Sequence, residues 1–233
     1  MKAALRALAG ALIVSGLAIV NAHGQAPPVP DGPRYVVTYV DVMPSAKGDG
    51  AALVRQFRDA TRKEAGNLRA EAGRRIGQPN QFVILGAWKD QASFDAHAKA
   101  APAVQFRDKV KPIQDAPLDE RLNFVLSVGP LPANLTGAAM LTVTHIDVIP
   151  TYRENATALV KQLAEDGRKD DGNRRFEALA QPSRQNHFTV IAVWRNHKAL
   201  EAHGINARTR AFREQIAPAL GALYDERFYK ALD

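Results

Sequence analysis

Residues 84–97 read ILGAWKDQASFDAH, and residues 190–203 read VIAVWRNHKALEAH. In each, a tryptophan closes an apolar run of strand length, and a histidine follows nine residues later on a segment of helical period. The correspondence extends well beyond this pair. At a constant offset of 106, YVDVMP (39–44) falls on HIDVIP (145–150), EAGNLRAEA (64–72) on DDGNRRFEA (170–178), and DER (119–121) on DER (225–227). Phe106 falls on Phe212 and Pro112 on Pro218. A gapless offset of this kind is duplication of a domain of about 90 residues, a common domain size.

The repeats are expected at 34–126 and 140–231. They are joined by a Gly/Pro-rich linker at 127–139, and QAPPVPDGP (25–33) leads into the first. Within each repeat the elements can be read in order. RYVVTYVDVM is β-branched and alternating, hence a strand that Pro44 ends. Leu53, Phe57 and Ala60 recur at helical spacing from Gly50 to about Lys63. GNLRAEAGRR reads as a strand, QFVILGAW as an apolar strand, and DQASFDAHAKA as a helix that Pro102 breaks. A further helical stretch follows through Val104, Val110 and Ile113, and LDERLNFVL is a closing strand. The order is β-α-β-β-α-β, the ferredoxin-like arrangement. Its helices cover one sheet face, so the other must be buried. The expected fold is therefore α+β: two tandem units packed sheet to sheet as an intrachain pseudo-dimer.

The first 22 residues are a separate object. Lys2 and Arg6 precede an apolar stretch from Ala7 to Val20, and Val20-Asn21-Ala22 is a small-x-small cleavage signal. The expectation is a signal peptide cut after Ala22, giving an exported, periplasmic or secreted protein with no stable membrane anchor after cleavage. The formal charge of +7 has both signs interspersed along the chain and points to no nucleic-acid partner. With no cysteine, disulfides, thiolate nucleophiles and Cys-ligated metals are excluded. No phosphate loop, dinucleotide fingerprint or G-x-S-x-G occurs, and no local histidine pair suggests a metal.

The strand VDVMP or IDVIP entering a long helix, and the strand-end Trp followed by FDAH or LEAH, resemble the antibiotic biosynthesis monooxygenase (ABM) family of the dimeric α/β-barrel superfamily. The resemblance covers nearly all of 34–231. It implies oxidation of quinol-like or anthrone-like phenols by molecular oxygen, with no cofactor and no metal. The family's haem-degrading branch has a first-strand Asn and a second Trp where this chain has His97 and His203. Its catalytic His stands ten residues further on, where this chain has Arg107 and Arg213, so the resemblance does not extend to haem degradation. The polyketide-oxidising branch has an Asn at the position of Ile84 or Val190; its Arg corresponds to Arg107 or Arg213.

Two readings of each candidate residue stand side by side. His97 and His203 share a helix face with Phe94 and Leu200, and serve either as neutral bases toward a phenol or as buried structural histidines. Trp88 and Trp194 either wall a pocket, expected on the inner sheet face, or fill the core. Tyr39 and His145, at one matching strand position, either line a pocket or face solvent, and Phe106 and Phe212 complete the expected ligand contacts. Arg107 and Arg213 either stabilise a phenolate or pair with acids on a helix surface. Asp119-Glu120-Arg121 and its copy read as an ion pair at a sheet edge. The functional expectation is an exported cofactor-independent monooxygenase taking a small apolar or phenolic ligand. The alternative is a non-catalytic exported binding protein of the same fold, and further self-association is left open.

Overall fold

The computed structural model describes residues 27–130, 135 and 137–233. The expected signal peptide and part of the linker lie outside these residues. The first repeat runs β1 (Arg34–Asp41), α1 (Lys47–Thr61), β2 (Asn67–Arg75), β3 (Gln81–Trp88), α2 (Gln91–Lys99), α3 (Ala101–Val110) and β4 (Asp119–Ser127). The second runs β5 (Met140–Asp147), α4 (Arg153–Gly167), β6 (Asn173–Ala180), β7 (His187–Trp194), α5 (His197–Ile205), α6 (Ala207–Ile216) and β8 (Asp225–Ala231). After β1, Pro44 opens a short 3-10 turn, so α1 begins at Lys47, earlier than the periodicity suggests. The helical segment after β3 is two helices, since Ala100 takes an extended conformation between α2 and α3.

The eight strands close into one barrel in the order β1-β3-β2-β8-β5-β7-β6-β4, with β4 returning to β1. Each repeat supplies a four-stranded antiparallel sheet, and the repeats join at β2–β8 and β4–β6. The two-layer expectation is thus met, with the inner faces sealed by hydrogen bonds along both seams. Both seams are short, pairing only Gly73–Arg75 of β2 with β8 and Phe124–Ser127 of β4 with β6. The Asp119–Arg121 pair (2.6 Å) lies on the stretch of β4 that pairs with β1 but not with β6, a strand edge as expected.

Strand alternation divides the apolar side chains into two layers. On β1 and β3, Tyr35, Val37, Tyr39, Val83, Leu85 and Ala87 point into the barrel. Phe82, Ile84 and Trp88 point the other way, toward the helices. Both faces are covered, so β3 is buried along most of its length. Burying one large apolar side chain contributes roughly 1.5–3 kcal/mol.

The barrel interior is filled, and two polar clusters cross its pseudo-twofold. At one level Arg69 donates to both carboxylate oxygens of Glu177 at 2.8 Å, and Arg175 donates to Glu71 at 2.6 Å. Each pair joins the two repeats, and all four side chains are buried. Burial pushes the Glu71 carboxyl up, but Arg175, Arg69 and the Leu135 N–H together outweigh it and hold the group below its ordinary range. At another level Tyr39 Oη lies 2.6 Å from His145 Nε2, and His145 Nδ1 lies 3.2 Å from Thr189 Oγ1. Thr189 donates to Asn123 Oδ1 at 3.1 Å. Tyr39 and His145 thus neither face solvent nor line a described cavity: they bond to each other across the repeat interface. Burial, helped by Arg121, lowers His145 to about 3, so the ring is neutral.

Candidate functional site

The opening motif lies on the helix side of each sheet. Trp88 ends β3 beneath α2, and the His97 ring lies over it with centroids 4.4 Å apart. In the second repeat Trp194 and His203 stand 4.6 Å apart, tilted by nearly the same angle. The expectation that the tryptophans sit on the inner sheet face is corrected. An uninterrupted apolar strand gives no alternation from which to choose its inward face.

Each histidine has an acid partner that the motif reading passed over. His97 Nδ1 is 2.9 Å from Glu64 Oε2, and His203 Nδ1 is 2.7 Å from Asp170 Oδ2. Glu64 and Asp170 are equivalent at the 106 offset, so the signal was present in the repeat alignment. The turn after them explains their position. Gly66 and Gly172 adopt φ of +78° and +76°, a region that favours glycine. Their carbonyls accept from Lys89 and Arg195 at 2.8 and 2.7 Å. That bond ties the turn to the end of the Trp-bearing strand and brings the acid to the histidine.

The space around the pair differs between repeats. In the second repeat a cavity of about 230 Å3 lies between α4 and α6, lined by Leu159, Leu163, Asp170, His203, Thr209 and Phe212 among others. A neighbouring cavity of about 290 Å3 shares Asp170, His203 and Asn206 and adds Arg195 and Lys198. In the first repeat the matching groove between α1 and α3 holds about 80 Å3, and His97 is not in its lining. Phe57 fills it: its ring stacks on Phe106 at 4.3 Å and leans on His97 at 5.5 Å. Leu163 stands at the Phe57 position. The second repeat takes its aromatic from the sheet instead, where Phe176 meets Trp194 and His203 edge-on at 6.1 and 5.3 Å. Gly167 makes room for it, since a Cβ there would lie 2.3 Å from the Phe176 ring.

The electrostatics favour a neutral imidazole in the second repeat. Burial is the largest influence on His203 and lowers it below the ordinary histidine value against the pull of Asp170. Asp170 also accepts from Asn206 Nδ2 at 3.0 Å and pairs with Arg208. A carboxylate facing Nδ1 accepts its proton and leaves Nε2 as the basic nitrogen. Trp194 Nε1 is buried and has no hydrogen-bond partner among the described residues.

Of the other expected contacts, Phe212 lines the cavity between α4 and α6, and Phe106 the smaller groove between α1 and α3. Arg107 donates to the Ala98 carbonyl at 2.7 Å. Arg213 reaches the Gly204 carbonyl and Glu226, and lies over the Tyr224 ring. Neither arginine lines a described cavity beside a histidine. Tyr39 and His145 belong to the barrel interior, on the far side of the sheet from this site.

A closed barrel of two ferredoxin-like units, each carrying a Trp–His–acid cluster under its helices, defines a dimeric α/β barrel whose halves share one chain. The chain belongs to the antibiotic biosynthesis monooxygenase family, which matches residues 33–109 and again 140–215. A Bacillus subtilis (strain 168) protein named "Putative monooxygenase YcnE" is 31% identical over 81 residues, 35% of this chain and 85% of that protein. Among solved structures, a "Putative monooxygenase" of Fusobacterium nucleatum superposes with a TM-score of 0.78 at 15% identity, covering 89% of this chain and 94% of that one. An "anthrone oxidase-like protein" superposes at 0.66 with 11% identity, covering 88% and 94%. At these identities the structures attest the fold.

Proposed function

We propose that this chain is an exported, cofactor-independent monooxygenase that oxidises a phenolic or quinol-like small molecule in the pocket of its second repeat. The observation that carries the reading is His203. It is a neutral base held by Asp170, backed by the Trp194 ring, and in the wall of a cavity between two helices. The names of the relatives point to the same reaction class.

Triplet oxygen reacts slowly with closed-shell molecules but accepts one electron from an electron-rich phenolate. His203 Nε2 takes the phenol proton, and the phenolate passes an electron to oxygen. The resulting radical pair joins at a ring carbon that bears hydrogen, giving a peroxide anion that recovers the proton from the histidinium. Loss of water leaves a carbonyl on that carbon. The ring has then lost two hydrogens and gained one oxygen atom, and the second oxygen atom leaves in the water. The protein contributes a base in its neutral form, set in the wall of an interhelical groove.

The test is oxygen uptake with a panel of quinols and anthrones. Native protein is expected to consume oxygen, and His203→Ala to lose about 10²–10⁴-fold in rate. Binding of the same compounds with no uptake above buffer would replace the oxygenase with a binding protein. Export is tested separately, by the intact mass of protein recovered outside the cytoplasm, expected to begin at His23. A full-length cytoplasmic product would refute that part.

A further inference from the structure

We propose that the cleft between α1 and the β2–β8 seam binds a phosphate group, as the free ion or carried by a small molecule with an apolar body. The seam is short, pairing Gly73 with Ala231, Arg74 with Lys230 and Arg75 with Tyr229. Arg74 and Lys230 therefore stand directly opposite, two like charges on one sheet face, an arrangement that destabilises a ladder. Arg55 from α1 and Arg75 from β2 join them in lining a cleft of about 530 Å3, in which Asp233 is the acid; Arg55 reaches the Asp233 main-chain oxygen at 3.5 Å and Arg75 donates to Gln81 Oε1 at 2.6 Å. Arg74 Nε is buried without a hydrogen-bond partner among the described residues, beside the Phe82 ring.

The fold does not require this charge. At the pseudo-equivalent β4–β6 seam the opposed residues are Phe124 and Ala180. The same geometry there is closed with an apolar pair, so the cationic pair is a feature of this cleft rather than of the barrel. Four cations from three elements suit a dianionic oxyanion, which accepts several charge-assisted bonds at once. The cleft is larger than a phosphate ion needs, and Ile76, 44% exposed, gives it an apolar wall. This site is independent of the oxidation proposed above.

The experiment is calorimetric titration of the full chain with inorganic phosphate and with phenyl phosphate, at constant ionic strength held by chloride. Saturable binding is expected, tighter for phenyl phosphate. Arg74→Gln and Arg55→Gln are each expected to weaken it at least about tenfold, the effect of losing one charge-assisted bond. Oxygen uptake is expected to be unchanged in both. If Arg74→Gln fails to fold, Arg55→Gln, which lies outside the ladder, decides. Sedimentation with vesicles carrying phosphatidic acid, lost in the variants, would assign the phosphate to a lipid headgroup; binding without sedimentation assigns it to a soluble ligand. No saturable heat with native protein, or equal affinity in both variants, would overturn the proposal.

Discussion

The two repeats share a fold, a Trp–His pair and an acid on the histidine, yet among the described residues it is the second repeat whose histidine lines a cavity. The difference lies in which layer supplies the aromatic. In the first repeat Phe57 comes from α1, fills the interhelical groove and stacks on Phe106. In the second, Phe176 comes from the sheet, Gly167 recedes to admit it, and Leu163 leaves the groove open above His203. A buried His–acid pair is thus compatible with a packed core and with a site, and the surrounding volume decides between them. Duplication relaxes the constraint on one copy, because the barrel needs both repeats for closure whichever of them binds.

The largest expected effect breaks the symmetry of the histidines. His203→Ala should lower oxygen uptake by about 10²–10⁴-fold, while His97→Ala should leave it unchanged. Equal losses in the two variants would make the repeats functionally alike.

The next effect concerns a part in which the repeats match. Arg69, Glu71, Arg175 and Glu177 form two interrepeat pairs buried in the barrel. Arg175→Met leaves Glu71 without its closest cation and should cost about 3–5 kcal/mol, read from the urea midpoint. A change under about 1 kcal/mol would show that the seam does not rely on this cluster.

A third variant transplants the difference. Leu163→Phe places the first repeat's residue in the second repeat's groove. Activity should fall about tenfold or more, with a stability change within the roughly 1–3 kcal/mol of overpacking. Unchanged activity would mean that the groove is not the substrate's position.

The smallest effect per unit of the variable changed is a pH dependence confined to one side of the Tyr39–His145 pair. His145 is held to about 3, against 6.5 when unfolded, by burial and by Arg121. Between these values the unfolded chain binds a proton that the native chain does not, so stability falls as pH drops from 6.5 toward 3. Relative to His145→Gln, native protein should lose up to about 1.4 kcal/mol per pH unit more in that window. Parallel curves would place the ring in water.

The duplication, the strand and helix order and the closed pairing of the repeats were legible because a constant offset aligns hydrophobic periods twice. The acid partners were visible in principle, since Glu64 and Asp170 align just before a shared Gly-Asn. The face of the Trp was not legible: β3 and β7 are apolar on both sides, and period-two reasoning needs a polar side. Nor was the fate of Tyr39 and His145. Each looks like a lone polar residue on a strand, and only pairing across the two sheets shows that they satisfy each other. The open groove depends on Leu163, Gly167 and Phe176 acting together through space, a trade between layers that no local pattern marks.

The central claim is one working site per chain, in the second repeat. Equilibrium dialysis of a non-oxidisable phenol against the purified chain measures it most directly. The account predicts one ligand bound per chain, displaced or strongly weakened in Leu163→Phe. Two equivalent ligands per chain, or one that binds Leu163→Phe as tightly as the native protein, would contradict it.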